Sequence, residues 1–310
     1  MDATRDGLGI ALKDLSEKDP DIFVLDCDLG RSTRAYAITE VNENRFIEMG
    51  IAEQDMISTA SGMTSMGKTV FVNSFAVFVT GRCFDQIRQQ VALPKANVKI
   101  CGSSAGLTQG YDGATHQSIV DVAIMRSLPN FNIVVPADPN QAVKVIKEAA
   151  VIDGPFYIRL SRYNTGNFID ENLEYEFGKA QEIVKGEKVA IIGTGPILKN
   201  CVAAQQELAD KGIKVGLYNF HTIKPIDEDK VKEVVNSYEH IVTVEEHNVI
   251  GGLGTAVSDV VAGLDNSYSH SQVTKIGVQD CFGESGGPEE LLKKYNLDAK
   301  SIVRQIKDLL

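Results

Sequence analysis

A chain of 310 residues, 43% hydrophobic and 24% charged, is long enough for about two globular domains and a sizeable core. Its formal charge of −11 is spread along the sequence, which argues against nucleic acid or an anionic membrane as the main partner but leaves local arginines free to bind a phosphorylated metabolite. The five cysteines lack CxxC or CxxH spacing, no apolar run approaches a membrane span of roughly 20 residues, and the first residues carry no signal-peptide pattern; a disulfide framework, a zinc site and export are therefore not indicated, and a reducing cytoplasm is expected.

Along the chain, short β-branched runs alternate with longer amphipathic stretches, the pattern of repeated βα units around mainly parallel sheets. "DIFVLDCD" (21–28) reads as a strand, "AEQDMISTASGM" as a helix with Met56, Ile57 and Ala60 inward, and "KTVFVNSF" (68–75) as the next strand. "VFVTGRCFDQIRQQVAL" places Phe84, Ile87 and Val91 at helical spacing before Pro94 ends the segment. The strand "NVKICGS" then leads into a long polar loop, "SAGLTQGYDGATHQS", followed by a helix over 117–128 and the strand "FNIVVPA". "ADPNQAVKVIKEAA" starts its helix with Asp138 as N-cap and Pro139 at the first helical position, and "PFYIRLSR" (155–162) completes the first half. Residues 166–186 are acidic and glycine-punctuated, as expected of a linker. A second βα series runs through "EKVAIIGTG", "IKVGLYNF", a helix after Asp227, "HIVTVEEH", "GLGTAVSDVVAGL", "QVTKIGV" and two C-terminal helices. The fold class is thus α/β, in two domains each built on a mainly parallel sheet flanked by helices.

Several motifs carry chemistry only in combination. "GTGP" (193–196) is not GxGxxG and reads as an ordinary strand-to-helix turn, and "GGLG" (251–254) as a tight turn at a helix start. The loop over 103–117 is long, follows a strand and gathers Gly106, Gly110 and Gly113 with Asp112, Thr115, His116 and Gln117, which marks a binding loop at the carboxyl end of a sheet. His116 opposite Asp112 suits proton transfer on a hydroxylated substrate, or a plain structural histidine. Arg159 and Arg162 in "RLSR" suit either surface ion pairs or a fork on phosphate. Glu53 in "MGIAEQDM" is on local grounds a helix-start carboxylate favoured by the macrodipole.

Taken in order, "MGIAEQDM", "FVNSFAVFV", "GLTQGYDGATHQS", "VPADPNQA" and "IRLSR" resemble the C-terminal part of transketolase, a thiamine-diphosphate enzyme family. The resemblance covers nearly the whole chain and implies a pyrimidine-binding domain over 1–165, a linker over 166–186 and a transketolase-type C-terminal domain over 187–310. It implies that Glu53 hydrogen-bonds the aminopyrimidine of the cofactor, that Phe78 stacks on that ring and Phe75 lines its pocket, and that Asp28 lies near the cofactor. It further implies that Arg5, Arg162 and Ser32 bind substrate phosphate, that Asp112 recognises a substrate hydroxyl, and that His116 binds the carbonyl region and assists proton transfer. The family's diphosphate and Mg²⁺ motif, a GDG followed by an asparagine pair, is absent from this sequence, which implies that both are bound mainly by an N-terminal partner subunit, in an α2β2 assembly. No residue of this chain is assigned to metal.

The expected reaction is transfer of a two-carbon ketol unit between sugar phosphates, in complex with that partner. A 1-deoxyxylulose-5-phosphate synthase-like enzyme and a 2-oxo acid dehydrogenase E1 β-like subunit share "GIAEQ", and a non-catalytic regulatory or binding subunit would keep the fold without turnover. Two positions depart from the family pattern: a histidine is missing near Gly102 or Ser103, and Gly81 stands where a third aromatic is expected.

Overall fold

The computed structural model describes residues 2–265 and 271–310. Strands β1 (Ile22–Asp26), β2 (Phe46–Glu48), β3 (Thr69–Phe75), β4 (Val98–Ser103), β5 (Asn132–Val134) and β6 (Phe156–Arg159) form a sheet in the order β5-β6-β4-β3-β1-β2, all pairs parallel. β4 and β6 are buried along their whole length and β3 at all but its first residue, because helices cover both faces of a parallel sheet. The second sheet holds β7 (Gln181–Val184), β8 (Val189–Gly193), β9 (Val215–Asn219), β11 (His240–Asn248) and β12 (Gln272–Val278), in the order β12-β11-β8-β9-β7. Strand β10 (Thr222–Lys224) follows β9 in sequence but leaves its sheet, pairing antiparallel with β5 at the edge of the first.

The helix Pro139–Val151 begins as its sequence dictates. Asp138 accepts the Gln141 N–H at 2.8 Å, and its other oxygen accepts from Phe168 and Ile169, which ties the chain after the first sheet to this cap. A helix over Thr4–Lys18, not expected from periodicity, packs on it; a Cβ at Gly7 would lie 2.5 Å from the Pro139 carbonyl oxygen, so the approach requires glycine.

Four further differences from the sequence reading have local causes. "VFVTGRCFDQIRQQVAL" is not one helix but Ala76–Gly81, Phe84–Gln86 and a π-helical turn over Ile87–Ala92, whose wider winding keeps Ile87, Val91 and Ala92 all in the core. The helix expected over 117–128 is confined to Asp121–Arg126, because Ser118 bridges to Ala105 and closes the preceding loop. The linker region 166–186 contains β7, whose Gln181 side chain bonds Gln141, Asn219 and the Glu174 carbonyl. β10 also went unread, being only three residues long.

The core runs through the domain boundary: Phe131, Ile133 and Val135 of the first sheet region join Phe220, Ile223, Val234 and Leu253 in one buried cluster. Among the described residues no helix is long and apolar enough to cross a membrane.

Candidate active site

The carboxyl ends of the parallel strands of the first sheet converge, and ligands in open α/β sheets bind outside such ends. Glu53 opens the helix Glu53–Thr64 with its side chain 2% exposed. Its two oxygens are separately satisfied: Oε1 accepts from the Ser74 hydroxyl at 3.2 Å and Oε2 from Arg82 Nη1 at 2.7 Å. Arg82 also lies over the Phe78 ring, its Cζ 4.8 Å from the centroid. Phe75, the last residue of β3, and Phe78, in the helix that follows, stack at 6.1 Å with 21° between their planes. His116 meets both rings edge-on, at 5.2 Å from Phe78 and 6.3 Å from Phe75, and its Nδ1 lies 2.9 Å from the Thr115 hydroxyl. A carboxylate, two aromatic rings and an imidazole are thus linked by direct contacts, with Arg82 bridging Glu53 to Phe78. A buried acid beside an aromatic wall can hold a flat nitrogenous ring by a hydrogen bond and by stacking.

A second group is cationic. Arg5 Nη1 donates to the Ser32 carbonyl at 2.9 Å, while its Nε is buried without a partner among the described residues. Arg34 pairs with Asp6 at 2.9 Å and Arg162 with Asp112 at 3.3 Å. Burial lowers the pKa of Arg5, and the neighbouring guanidinium groups of Arg34 and Arg162 lower it further. Crowded cations with an orphaned donor are what a bound anion relieves. Asp112 accepts in addition from Gln109 Nε2 at 2.5 Å.

Asp28 stands just past β1 with a positive φ of 60°; its N–H donates to Glu48 Oε1 at 2.7 Å, which also accepts from Gly50 at 2.9 Å. Asp28 and Ser32 line a cavity of about 330 Å³ with Arg31, Tyr36 and Glu48. The turn between them hangs on Asp26, a fully buried carboxyl that accepts from the Leu29 N–H at 2.6 Å and the Thr33 hydroxyl at 3.1 Å. Burial pushes its pKa up to about 7.

Arg159, which the sequence left between ion pair and phosphate fork, is buried and fully engaged: it donates to Asp121 at 2.7 Å and to the carbonyls of Ser118 and Glu246 at 3.0 Å each. Burial would raise the pKa of Asp121, but Arg159 beside it holds the carboxyl below its ordinary range. Tyr157 completes this knot with a 2.6 Å bond to Asp121 and accounts for one departure noted above: a Cβ at Gly102 would lie 2.6 Å from the Tyr157 hydroxyl, so no histidine fits there. At Gly81 nothing stands within 4 Å, and it is Arg82 that covers the Phe78 ring. Ser74, Arg82 and Asp26 carried no signal in the sequence, since each acts through a neighbour brought close only by strand pairing or helix packing. Among the described residues no cluster of three or more His, Cys, Asp or Glu side chains is arranged to hold a metal ion.

Two α/β domains in this order, the first gathering Glu53, Phe75, Phe78 and His116 at the carboxyl end of β3, are the arrangement of the thiamine-dependent transferase class. The profile described as "Transketolase, pyrimidine binding domain" matches residues 2–167, and "Transketolase, C-terminal domain" matches 178–302; the chain belongs to the transketolase family. A chain of Methanocaldococcus jannaschii that bears the name transketolase C-terminal section is 42% identical over 97% of this chain and 94% of its own length. The 6-deoxy-6-sulfo-D-fructose transketolase subunit SqwH of a Clostridium species is 37% identical over 94% of this chain and 90% of its own. Transketolase of Rattus norvegicus is 35% identical over 99% of this chain, which spans 49% of the rat protein. A solved structure titled "Split gene transketolase, inactive beta4 tetramer" superposes with a TM-score of 0.88 at 38% identity, covering 99% of this chain and 97% of that one.

Proposed function

We propose that the chain is the C-terminal subunit of a split transketolase, which transfers a two-carbon ketol unit from a ketose phosphate to an aldose phosphate together with an N-terminal subunit. The observation that carries this reading is Glu53: a buried carboxyl at a helix start, oriented by Ser74 and adjoining the Phe75–Phe78 stack. These residues fit the aminopyrimidine half of thiamine diphosphate. Glu53 would hold the ring by a hydrogen bond, and Phe78, with Phe75 behind it, would form its stacking wall. When bound, that cofactor supplies the nucleophilic carbon and the electron sink that C–C cleavage needs. The diphosphate and Mg²⁺ are assigned to the N-terminal subunit, since the family's GDG motif is absent from this sequence, in an α2β2 assembly in the cytoplasm.

The remaining residues of this chain act on the sugar. His116 would hold a proton at the donor carbonyl region, Asp112 would accept a hydrogen bond from a substrate hydroxyl, and Arg5, Arg162 and Ser32 would bind the terminal phosphate, with Asp28 on the adjoining wall. Glycine at position 102 leaves no histidine there to contact the sugar, so the substrate pair is to be found by assay rather than taken from the general family pattern.

The test is to purify the chain with its N-terminal partner and assay xylulose 5-phosphate with ribose 5-phosphate in the presence of thiamine diphosphate and Mg²⁺. Turnover by the pair and not by the isolated chain is expected. Equal turnover by the isolated chain would overturn the split-subunit reading, and product from pyruvate with glyceraldehyde phosphate instead would move the assignment to a deoxyxylulose-phosphate synthase-like enzyme.

A further inference from the structure

We propose that Glu246, in the second domain, is a positioning residue for the glycine-rich loop, so that the C-terminal domain sets the geometry of Asp112 and His116. The inference rests on the functional reading above for what the loop does, and on geometry alone for what holds it. The loop leaves β4 and returns on itself: Ala105 bridges Ser118, and the Gly106 N–H donates to the Ser118 carbonyl at 2.9 Å. Inside this closure both oxygens of the buried Glu246 carboxyl are taken by one residue, Thr108, whose N–H donates at 2.6 Å and whose hydroxyl donates at 3.2 Å. A buried carboxyl is costly unless its oxygens are satisfied, so Glu246 and Thr108 fix each other. Gly106 makes the contact possible: its φ is 86°, and a Cβ there would lie 2.3 Å from Glu246 Oε1.

The same domain supports the loop further along. Gln117 Nε2 donates to the carbonyls of Leu107, Gly110 and Glu284, and the Ser285 hydroxyl donates to the Tyr111 carbonyl at 2.7 Å. Asp112 and His116 sit between these anchors. Arg159 reaches across the boundary to the Glu246 backbone carbonyl, and β10 pairs with β5, so the Glu246 side chain can be removed without parting the domains.

In the reconstituted pair, Glu246→Ala is expected to raise the KM for the sugar donor about tenfold, the loss of one buried hydrogen-bonded contact, while thiamine diphosphate affinity changes less, because Glu53, Phe75 and Phe78 lie on other elements and the loop meets the rings only through His116. Glu246→Gln, which keeps an acceptor for the Thr108 N–H, should restore most of the wild-type KM. Hydrogen exchange on the chain itself separates this inference from the functional reading, because it needs no turnover. Amides over 107–117 should exchange faster in Glu246→Ala, and those over 53–64 should not. If Glu246→Ala does not fold, Thr108→Val removes the hydroxyl alone and should loosen the same amides. Unchanged exchange over 107–117 in whichever variant folds, or faster exchange equally over 53–64, would falsify the positioning role.

Discussion

A carboxylate withdrawn from water needs donors for both oxygens, and at Glu53 these are Ser74 and Arg82. The arginine is half-exposed and also covers Phe78, so the ion pair has a partner free to leave when a ring enters the pocket. Glu53→Gln keeps the shape but lacks the acid, and in the reconstituted pair it should lower kcat by about 10²- to 10⁴-fold, the range of a lost acid–base contact, with the assembly unchanged by sedimentation. Unaltered kcat would remove Glu53 from the chemistry. Asp26 predicts a pH effect on stability. Its native pKa of about 7 lies above the ordinary value of 3.8, so the folded state keeps a proton that the unfolded chain releases. The stability from this group is fully present below about pH 4 and lost as pH rises through 7, so the urea midpoint should fall between about pH 4 and 7 by this contribution, and the fall should be shallower in Asp26→Asn. Local chemistry left Glu53 a helix-start acid; only its order ahead of Phe78, Asp112, His116 and Arg162 suggested otherwise. Ser74 and Asp26 could not be read at all, because a hydroxyl or carboxyl in a strand carries no sign of which turn it will hold.

Elements with long apolar runs or explicit caps were legible: β1, β3, β4, β8 and the helix capped by Asp138 form where periodicity places them. Short or polar elements were not. β7 lies in an acidic stretch, β10 has three residues, and the helix Thr4–Lys18 contains two buried glycines and a weak apolar face. The missing histidine at Gly102 shows an element-level constraint, since β4 and β6 place Gly102 beside Arg159 and bring the Tyr157 ring over its Cα. Gly102→Ala should therefore destabilise the chain by about 1–3 kcal/mol, the range for overpacking a filled core, read as a lower Tm in calorimetry. A variant as stable as wild type would show that Tyr157 can move aside.

At the scale of the whole molecule, the two domains anticipated from sequence share a sheet edge and a core. β10 closes the first sheet from the second domain, and Phe220 and Ile223 pack against Phe131 and Ile133 across the boundary. Denaturant unfolding should then be one transition, with circular dichroism and tyrosine fluorescence coincident. Two separated transitions would mean that the shared strand contributes little. The split into two domains was visible because the composition changes over 166–186; their interlocking was not, because it depends on three residues whose partner lies about 90 positions earlier.

The shared strand also alters what the peptide between the domains is for. Asp170, Glu171 and Asn172 are exposed in the connecting stretch, where a protease specific for acidic residues can cut. A chain nicked there would still have β10 on β5 and Glu246 on Thr108, and its two fragments should leave a sizing column together. The connection, in other words, gives the halves their covalent continuity, while the grip between them is non-covalent.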